Sequence, residues 1–435
     1  MNNYYLAIDL GASGGRHIVG YLDNGEIVLK EVYRFKTLME DSPDGLVWDH
    51  KRIFNEIKLG IKEAFKQYPN IKSLAIDTWG VDYVLMNGDK EIPPFYAYRN
   101  KRNVSASEKV NSVIPFPELY KQTGVQFASF NTIYQLYADK LDGRLDIATD
   151  YLMVPSYFTY KLTGKKVHEY TDESTGSLLN PYTGEYKYSL IDELDLPRQL
   201  FKKIFLPGEC VGELLPEIQK EVGGNCKVIL CASHDTASAF EAVDVDEDTV
   251  IISSGTWSLL GIKTPKPIIS EKTLKANYTN EGGVGYIRFL KNIMGMWINN
   301  SVRSELGLLQ SYIDSKIDTV DYKETFDVNN PSLLAPSSMK DAVMKLLEKN
   351  PPKNDLEIFA SIYRSMAISY RNAIKELEDI VGKEYKNIMI VGGGAKNKYL
   401  NRLVEEITNK KIIAMPIEAT ALGNIKIQMK AGKEL

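Results

Sequence analysis

Two polar stretches of the sequence carry residue types that can support chemistry, and each follows an apolar run. The first is a His-Asp-Thr turn at 234–236, directly after the strand-like run Val228–Cys231. A carboxylate at the end of a strand can accept a proton from a substrate hydroxyl. The second is a Ser-Ser-Gly-Thr turn at 253–256, which ends the strand-like run Thr249–Ile252. Its backbone N–H groups and hydroxyls suit phosphate oxygens, so the sequence offers one candidate base and one candidate phosphate-binding turn.

The candidate base and its neighbours also have purely structural interpretations. Taken alone, Asp235 is better explained as the N-cap of a helix over Thr236–Phe240. His234 is by itself more typical of a hydrogen-bonded structural side chain. The acidic run Glu241–Asp248 indicates a solvated connector without a ligand role. Residue types and spacing therefore leave both interpretations open.

The elements that must position these turns begin with a three-stranded meander. Tyr4–Leu10 predicts a buried strand that ends in a turn of small residues, and His17–Leu22 and Glu26–Phe35 follow as strands around an Asn-Gly turn. Apolar residues at helical spacing predict a helix over Asp49–Tyr68, with Asp49 as its N-cap. Further predicted elements of this half are a strand over Ser73–Asp77 and a helix over Tyr151–Gly164.

The second half of the chain repeats this outline. Thr249–Ile252, the turn at 253–256 and Trp257–Lys263 again predict a strand, a small-residue turn and a strand. The other predicted elements of this half are a strand within Ala276–Leu290, a helix over Leu356–Val381, a strand over Tyr385–Val391 that ends in Gly392–Gly394, a helix over Leu400–Ile407, a strand over Lys411–Met415 and a helix over Glu418–Lys430. Two copies of such a unit indicate an α/β fold of two lobes that hold a nucleotide between them.

Length, charge and cysteine content limit the class of protein. A chain of 435 residues, of which 44% are hydrophobic, can bury a large core and is expected to form two domains. A net charge of −4 argues against a nucleic-acid or membrane-surface binder. The first residues show no signal pattern, and no apolar run approaches the length of a membrane span. Together with three cysteines that lack metal-ligand spacing, these features predict a cytoplasmic enzyme.

A set of longer motifs runs through nearly the whole chain in co-linear order. They are AIDLGASGGR (7–16), IDTWGVDYVL (76–85), GVQFASFNTIYQL (124–136), ASHDTASA (232–239), SSGTWSLLG (253–261), NYTNEGG (277–283), LKNIMGMW (290–297), IVGGGAKN (390–397) and EATALGN (418–424). With these motifs the chain resembles the FGGY carbohydrate kinases, and within them the branch that phosphorylates rhamnulose. The resemblance implies two ribonuclease H-like domains of the actin, hexokinase and sugar kinase superfamily that face a central cleft. It places a sugar-binding domain with the catalytic base at 1–244 and a nucleotide-binding domain at 245–435.

The same resemblance implies an activity and the residues that perform it. The implied reaction is ATP-dependent phosphorylation of the C1 hydroxyl of L-rhamnulose, with Asp235 as proton acceptor and Asp9 orienting a hydrated Mg²⁺. The implied sugar contacts are Gly80, His234, Asp235, Thr236 and Asn292. The implied ATP contacts are Ala12, Ser13, Gly14, Gly15, Arg16, Thr256, Asn300 and Gly394. The expected partners are therefore a ketose and ATP, with no nucleic acid and no membrane.

Three alternatives stay open beside this interpretation. The acceptor can be another ketose or a polyol, such as fuculose or xylulose, although HDTASA and KNIMG argue against it. A nucleotide-dependent binding module of the chaperone or actin kind would keep both phosphate turns, but it would not need the His-Asp-Thr turn. A degenerate kinase is the third alternative, because the chain stops soon after EATALGN whereas family members continue. No arginine lies in the sugar-facing motifs, which favours a neutral acceptor.

Overall fold

The computed structural model describes residues 3–334, 336–415 and 418–435. The strands are β1 (Tyr4–Gly11), β2 (Gly14–Asp23), β3 (Glu26–Phe35), β4 (Met39–Ser42), β5 (Gly45–Trp48), β6 (Ile71–Thr78), β7 (Tyr83–Asn87), β8 (Lys90–Glu91), β9 (Asp150–Met153), β10 (His168–Glu169), β11 (Ile204–Phe205), β12 (Cys210–Glu213), β13 (Lys227–Ile229), β14 (Thr249–Ser254), β15 (Trp257–Thr264), β16 (Thr279–Gly282), β17 (Ile287–Met294), β18 (Asn387–Val391) and β19 (Lys411–Met415). The helices are α1 (His50–Gln67), α2 (Arg102–Val113), α3 (Phe116–Thr123), α4 (Thr132–Leu141), α5 (Val154–Thr163), α6 (Tyr170–Glu173), α7 (Tyr188–Glu193), α8 (Pro216–Val222), α9 (Asp235–Glu241), α10 (Glu271–Lys275), α11 (Trp297–Glu305), α12 (Gln310–Lys316), α13 (Met339–Leu346), α14 (Asp355–Val381), α15 (Lys398–Thr408) and α16 (Ala419–Ala431).

The chain forms two compact units, and each is discontinuous in sequence. The first unit comprises Met1–Val243, Lys263–Phe289 and Thr420–Leu435, and the second comprises Asp244–Ile262 and Leu290–Ala419. The expected division into domains at 1–244 and 245–435 stays a prediction. Within the described ranges, none of the helices has the length and apolar character needed to cross a membrane.

The first unit is built on a six-stranded sheet in the order β12-β13-β6-β1-β2-β3. Side chains of β1 alternate between its two faces, as the pleat requires. Leu6, Ile8 and Leu10 enter the core that contains α1. Tyr5 and Ala7 lie on the other face, with the apolar side of α16. Because β1 is parallel to β6 and antiparallel to β2, the polar residues near its end lie beside those of both neighbours.

The second unit is built on a sheet in which β17, β15, β14, β18 and β19 lie side by side in that order. Strand β14 is antiparallel to β15 and parallel to β18, as a strand-turn-strand motif followed by a helical crossover requires. The crossover includes α14, which Asn354 caps at its start and Gly382 ends in a left-handed conformation. This order places the turn after β14 and the turn after β18 at the same edge of the sheet.

Several predicted elements are confirmed, and two predicted elements have other boundaries in the structure. Helix α1 begins behind Asp49, whose side chain accepts a hydrogen bond from the Arg52 backbone. The helix predicted over Tyr151–Gly164 begins only at Val154, because the preceding residues pair with β7 as strand β9. The single strand predicted within 276–290 is two strands, β16 and β17, with Gly285 at a positive φ of 81° between them.

Candidate active site

The candidate base Asp235 is the first residue of α9 and is not its cap. His234 occupies the N-cap position, and no side chain caps the helix. The structural interpretation of Asp235 as an N-cap is therefore wrong. Its side chain is 31% exposed and accepts a hydrogen bond of 3.1 Å from the Thr236 hydroxyl. A partly exposed carboxylate at a helix start is accessible to a substrate hydroxyl and lies at the positive end of the helix dipole.

His234 is oriented by a buried ion pair from the segment that contains β16 and β17. Nη2 of Arg288 lies 3.2 Å from Nδ1 of His234, and Nη1 of Arg288 lies 3.2 Å from Oε2 of Glu281. Because an arginine can only donate, Nδ1 of His234 accepts and the imidazole proton is on Nε2. That Nε2 lies 3.5 Å from Oδ1 of Asp235. The ion pair therefore presents a donor beside the candidate base.

The charge of Arg288 is compensated locally. Burial raises the pKa of Glu281, but the positive charge of Arg288 outweighs it, so the pKa lies below its usual value. Sequence reasoning missed Arg288 because it lies between two recognisable motifs, in a strand whose start was not predicted. A sequence signal for this ion pair was Glu281 in the NYTNEGG motif. Its carboxylate lies in a strand in which every residue is buried.

The predicted sugar contact Gly80 lies beside the His-Asp-Thr turn. Gly80 follows β6, and the backbone N–H of Thr78 at the end of β6 donates to the Ser233 carbonyl over 2.8 Å. A bridge between Thr78 and His234 extends this pairing. The segments that carry Gly80 and His234 are thus hydrogen-bonded neighbours. The structure brings these two predicted residues together within the first unit.

A buried carboxylate fixes the loop that follows Gly80. Asp82 accepts hydrogen bonds from the indoles of Trp48 (2.7 Å) and Trp79 (3.0 Å), from the Tyr98 backbone and from the Gln135 amide. Burial raises the pKa of Asp82 to about 6, although these donors oppose the rise. Trp79 packs on Trp48 with 4.2 Å between ring centroids and is 7% exposed. Trp79 is therefore a packing residue of this loop.

The glycine-rich turn predicted to hold ATP joins β1 to β2, with Ala12 and Ser13 at its tip. Neither Gly14 nor Gly15 has a positive φ. Their requirement for glycine is steric, because a Cβ on Gly14 would lie 3.1 Å from the Phe35 carbonyl oxygen and one on Gly15 would lie 2.4 Å from the Phe35 ring. The third strand of the meander therefore packs closely against the turn.

Acidic residues from neighbouring strands meet at the end of β1. Asp9 is paired in register with Arg16 on β2 and with Asp77 on β6. Arg16 forms a salt bridge with Asp9, and the Asn424 amide donates to Oδ2 of Asp77 over 2.5 Å. Burial raises the pKa of Asp77 well above its usual value, and the charge of Asp9 adds to the rise. Sequence reasoning assigned no role to Asp77, although it ends a buried strand just as Asp9 does.

The carboxylates at the end of β1 offer oxygen atoms that could hold a hydrated cation. Among the described residues, no group of three or more histidine, cysteine, aspartate or glutamate side chains has the arrangement of a metal site. Oδ1 of Asp77 is buried without a hydrogen-bond partner, and it lies in the strand next to Asp9. Carboxylate oxygens that bind Mg²⁺ through its water ligands are common at phosphate sites. The role of Asp9 toward Mg²⁺ stays a prediction.

The second unit holds the other predicted nucleotide residues. A Cβ on Gly394 would lie 2.0 Å from the Ser254 hydroxyl oxygen, and one on Gly392, which has a φ of 81°, would lie 2.9 Å from the Ser254 carbonyl oxygen. Only glycine allows the two turns to approach so closely. Thr256 is in the first of these turns, and its carbonyl accepts from the Gly295 backbone over 3.2 Å.

Two predicted asparagine contacts also belong to the second unit. Asn292 lies on β17, and Asn300 lies in the first half of α11. The Asn300 amide oxygen accepts a hydrogen bond of 3.3 Å from Asn299. Asn292 is the one predicted sugar contact outside the first unit, and its role stays a prediction.

Comparisons with known proteins agree on one family. The model of the N-terminal domain of the FGGY family of carbohydrate kinases matches residues 4–240, and the model of the C-terminal domain matches residues 250–432. A rhamnulokinase of Halalkalibacterium halodurans is 41% identical over 443 residues, which cover 100% of this chain and 94% of the relative. A rhamnulokinase of Oceanobacillus iheyensis is 40% identical over 440 residues, which cover 99% of this chain and 94% of the relative.

A solved structure shows the same fold. The ligand-bound xylulose kinase from Lactobacillus acidophilus superposes with a TM-score of 0.83 at 19% identity, over 99% of this chain and 90% of that one. The expected sugar-kinase fold of two α/β domains is therefore confirmed. The extent of the family-model matches and the identity to the relatives lead to one conclusion: this chain belongs to the FGGY family of carbohydrate kinases and is a carbohydrate kinase.

Proposed function

We propose that this kinase transfers the γ-phosphoryl group of ATP to the C1 hydroxyl of L-rhamnulose, with Asp235 as the general base. The products are L-rhamnulose 1-phosphate and ADP. The substrate is inferred from the relatives, which carry the name rhamnulokinase at about 40% identity over nearly their whole length. The observation that supports the base is the position of Asp235, a partly exposed carboxylate at a helix start beside a donor on His234.

The proposed chemistry requires little of the base beyond position. Phosphoryl transfer passes through a loose transition state, so catalysis depends mainly on alignment and charge stabilisation. Asp235 accepts the proton of the C1 hydroxyl as that oxygen attacks the γ-phosphorus. The bond between the γ-phosphorus and the bridging oxygen breaks, and ADP leaves. The hydrogen bond from Thr236 fixes the rotamer of the carboxylate during this step.

The proposed contacts to the acceptor are polar groups, and all of them except Asn292 belong to the first unit. Nε2–H of His234 is positioned to donate to a sugar hydroxyl, because Arg288 occupies Nδ1. The Gly80 backbone, Thr236 and Asn292 complete the proposed set of contacts. Since Glu281 neutralises Arg288, this arginine offers no net charge to an anionic acceptor, and a neutral ketose is the proposed substrate class.

ATP is the co-substrate, and the proposed contacts fall into two groups. The turn at 12–16 contributes backbone N–H groups and Arg16 from the first unit. Thr256, Asn300 and Gly394 contribute from the second unit. Mg²⁺, held through water by Asp9, would neutralise phosphate charge in the bound nucleotide.

A coupled assay of ADP release tests the proposal. L-Rhamnulose, L-fuculose, D-xylulose and D-fructose are compared by kcat/KM, and ³¹P NMR locates the phosphate on the product. We expect L-rhamnulose to be preferred at least tenfold and to be phosphorylated at C1. A preference for another ketose would overturn the substrate, and no sugar-dependent ADP release would overturn the reaction.

Asp235→Asn tests the base separately. We expect kcat for sugar-dependent ADP formation to fall by about 10²–10⁴-fold, the usual contribution of general base catalysis, while ATP affinity stays near the wild-type value. The matched control is Glu247→Gln, which neutralises a carboxylate that is 92% exposed. A variant at Asp235 that keeps substantial turnover would refute the assignment.

A further inference from the structure

Three carboxylates lie in one short segment around helix α6, next to the His-Asp-Thr turn. Glu169, Asp172 and Glu173 are each at most 1% exposed. The segment is tied to the turn by two hydrogen bonds, from the Ser233 backbone to Glu169 (3.2 Å) and from the His234 backbone to the Thr171 hydroxyl (3.3 Å). The carboxylates therefore lie beside the proposed catalytic residues.

Two of the three carboxylates have structural partners that account for their burial. Glu169 caps α6 and accepts from the Thr171 backbone (2.9 Å) and from the Asp172 backbone (3.1 Å). Glu173 accepts from the Tyr151 hydroxyl (2.5 Å) and lies 2.9 Å from Nδ1 of His168. Both side chains hold the segment in place.

Asp172 differs from its neighbours. Both of its carboxylate oxygens are buried without a hydrogen-bond partner. Burial raises the pKa of Asp172 well above its usual value, and the charges of Glu169, Glu173, Asp235 and Asp82 add to the rise in that order. A buried polar group without a partner is destabilising, and a catalytic or ligand-binding role is one explanation for its presence in a native structure.

The surroundings of Asp172 indicate what that ligand is. A Cβ built on Gly80 would lie 3.3 Å from Oδ1 of Asp172, so this carboxyl oxygen lies close to Gly80 with no Gly80 side chain between them. Gly80 is itself a proposed sugar contact. The segment that carries Asp172 is hydrogen-bonded to the His-Asp-Thr turn, so Asp172 and Asp235 lie on adjacent segments of the first unit.

We propose that the Asp172 carboxyl hydrogen-bonds a hydroxyl of the acceptor sugar other than the C1 hydroxyl, and that it thereby selects among ketoses. This inference rests on the proposed function. The ligand class is a neutral polyhydroxylated ketose, since the carboxyl group accepts hydroxyl donors and an anion would be repelled. A site that hydrogen-bonds a specific hydroxyl rejects analogues that lack it, because its own polar group is left unpaired.

Stability and recognition are expected to change in opposite directions in Asp172→Asn. The variant replaces a carboxyl group that four other carboxylates repel by a neutral amide, so the melting temperature of the sugar-free protein should rise by a few degrees. The same variant should lower kcat/KM for L-rhamnulose at least tenfold, mainly through KM, with ATP affinity unchanged. A residue with a purely structural role would lower the melting temperature instead.

Deoxy analogues of the acceptor identify the hydrogen bond directly. Wild-type enzyme is assayed with L-rhamnulose and its 3-deoxy, 4-deoxy and 5-deoxy analogues, all of which keep the C1 hydroxyl. We expect one analogue to be disfavoured at least tenfold, and we expect Asp172→Ala to reduce that preference to less than about threefold. Equal discrimination in wild type and Asp172→Ala would overturn the proposal.

The matched control is Glu173→Gln, on the same helix. It should lower the melting temperature, because Tyr151 and His168 lose a charged partner, and it should keep the wild-type preference among analogues. If wild-type enzyme phosphorylates none of the four sugars, the proposed function fails. If it phosphorylates L-rhamnulose and Asp172→Asn matches it in kcat/KM, only the role of Asp172 fails.

Discussion

Replacing Arg288 by methionine tests whether the buried ion pair orients His234. Arg288 is fully buried, and its guanidinium contacts Glu281, the Gly282 carbonyl (2.8 Å) and His234. Methionine has a similar length and no charge, so Glu281 would remain as an uncompensated buried carboxylate. Breaking a buried pair on one side costs about 3–5 kcal/mol. For units of this size that corresponds to a fall in Tm of roughly 5–15 °C.

The effect has a pH signature whose sign follows from the pKa of Glu281. In the wild type this pKa is below its usual value, so the pair stabilises the fold above the unfolded pKa and the contribution is lost as pH falls through the folded pKa. In Arg288→Met the folded pKa of Glu281 rises above the unfolded one. The variant is then least stable at high pH and regains stability as Glu281 takes up a proton. We expect the difference in Tm to be larger at pH 8 than at pH 5.5.

The double variant Arg288→Met, Glu281→Gln separates stability from orientation. Removing the unpaired charge should restore most of the lost Tm, measured by differential scanning fluorimetry. It should not restore kcat/KM, because Nδ1 of His234 still lacks its donor and the imidazole proton is no longer held on Nε2. A single variant with wild-type Tm at pH 8, or a double variant with wild-type activity, would refute this reasoning.

Two further substitutions concern glycines of the first unit. In Gly423→Ala the new Cβ would lie 1.7 Å from the Ser238 carbonyl oxygen, so α16 must move away from α9. Although alanine raises the helix propensity by about 1 kcal/mol, we expect a net loss of about 2–4 kcal/mol in the free energy of unfolding, measured by urea denaturation. The control Gly393→Ala, whose Cβ meets nothing within 4 Å, should leave the free energy of unfolding unchanged. In Gly14→Ala, calorimetry should show weaker ATP binding together with a small fall in Tm, because the Cβ would also press on the Phe35 carbonyl; unchanged ATP affinity would make the turn purely structural.

Local signals predicted the elements that local interactions stabilise. Helix α1 has its cap residue and its apolar face in consecutive sequence, and α14 is long enough for its periodicity to be clear. Strand β9 could not be predicted, because its residues adopt an extended conformation only through pairing with β7, a long-range partner. The split between β16 and β17 depends likewise on backbone pairing across the sheet.

The same distinction applies to the candidate site. Asp235 and His234 were predicted because they stand in a motif, and the family match supports the class of enzyme. Arg288 and Asp172 were missed, since their significance arises from what they face in the fold: a histidine ring in one case, and Gly80 in the other. Whether a side-chain oxygen lacks a hydrogen-bond partner cannot be determined from the sequence.

Helix α16 determines when the first unit can complete its folding during synthesis. Its Gln428 donates to the Leu6 carbonyl over 3.0 Å and accepts from the Ser73 hydroxyl over 2.6 Å, contacts that span 422 and 355 residues of chain. A ribosome-bound chain that has not reached residue 419 has one face of β1 uncovered and Asp77 without the Asn424 amide. Most of the first unit is therefore synthesised before the second unit, but it can complete its fold only after the second unit has been synthesised. Contacts of such sequence separation favour slow folding. Until α16 docks, this apolar face of β1 stays exposed, and exposed apolar surface makes a partly folded chain prone to aggregation.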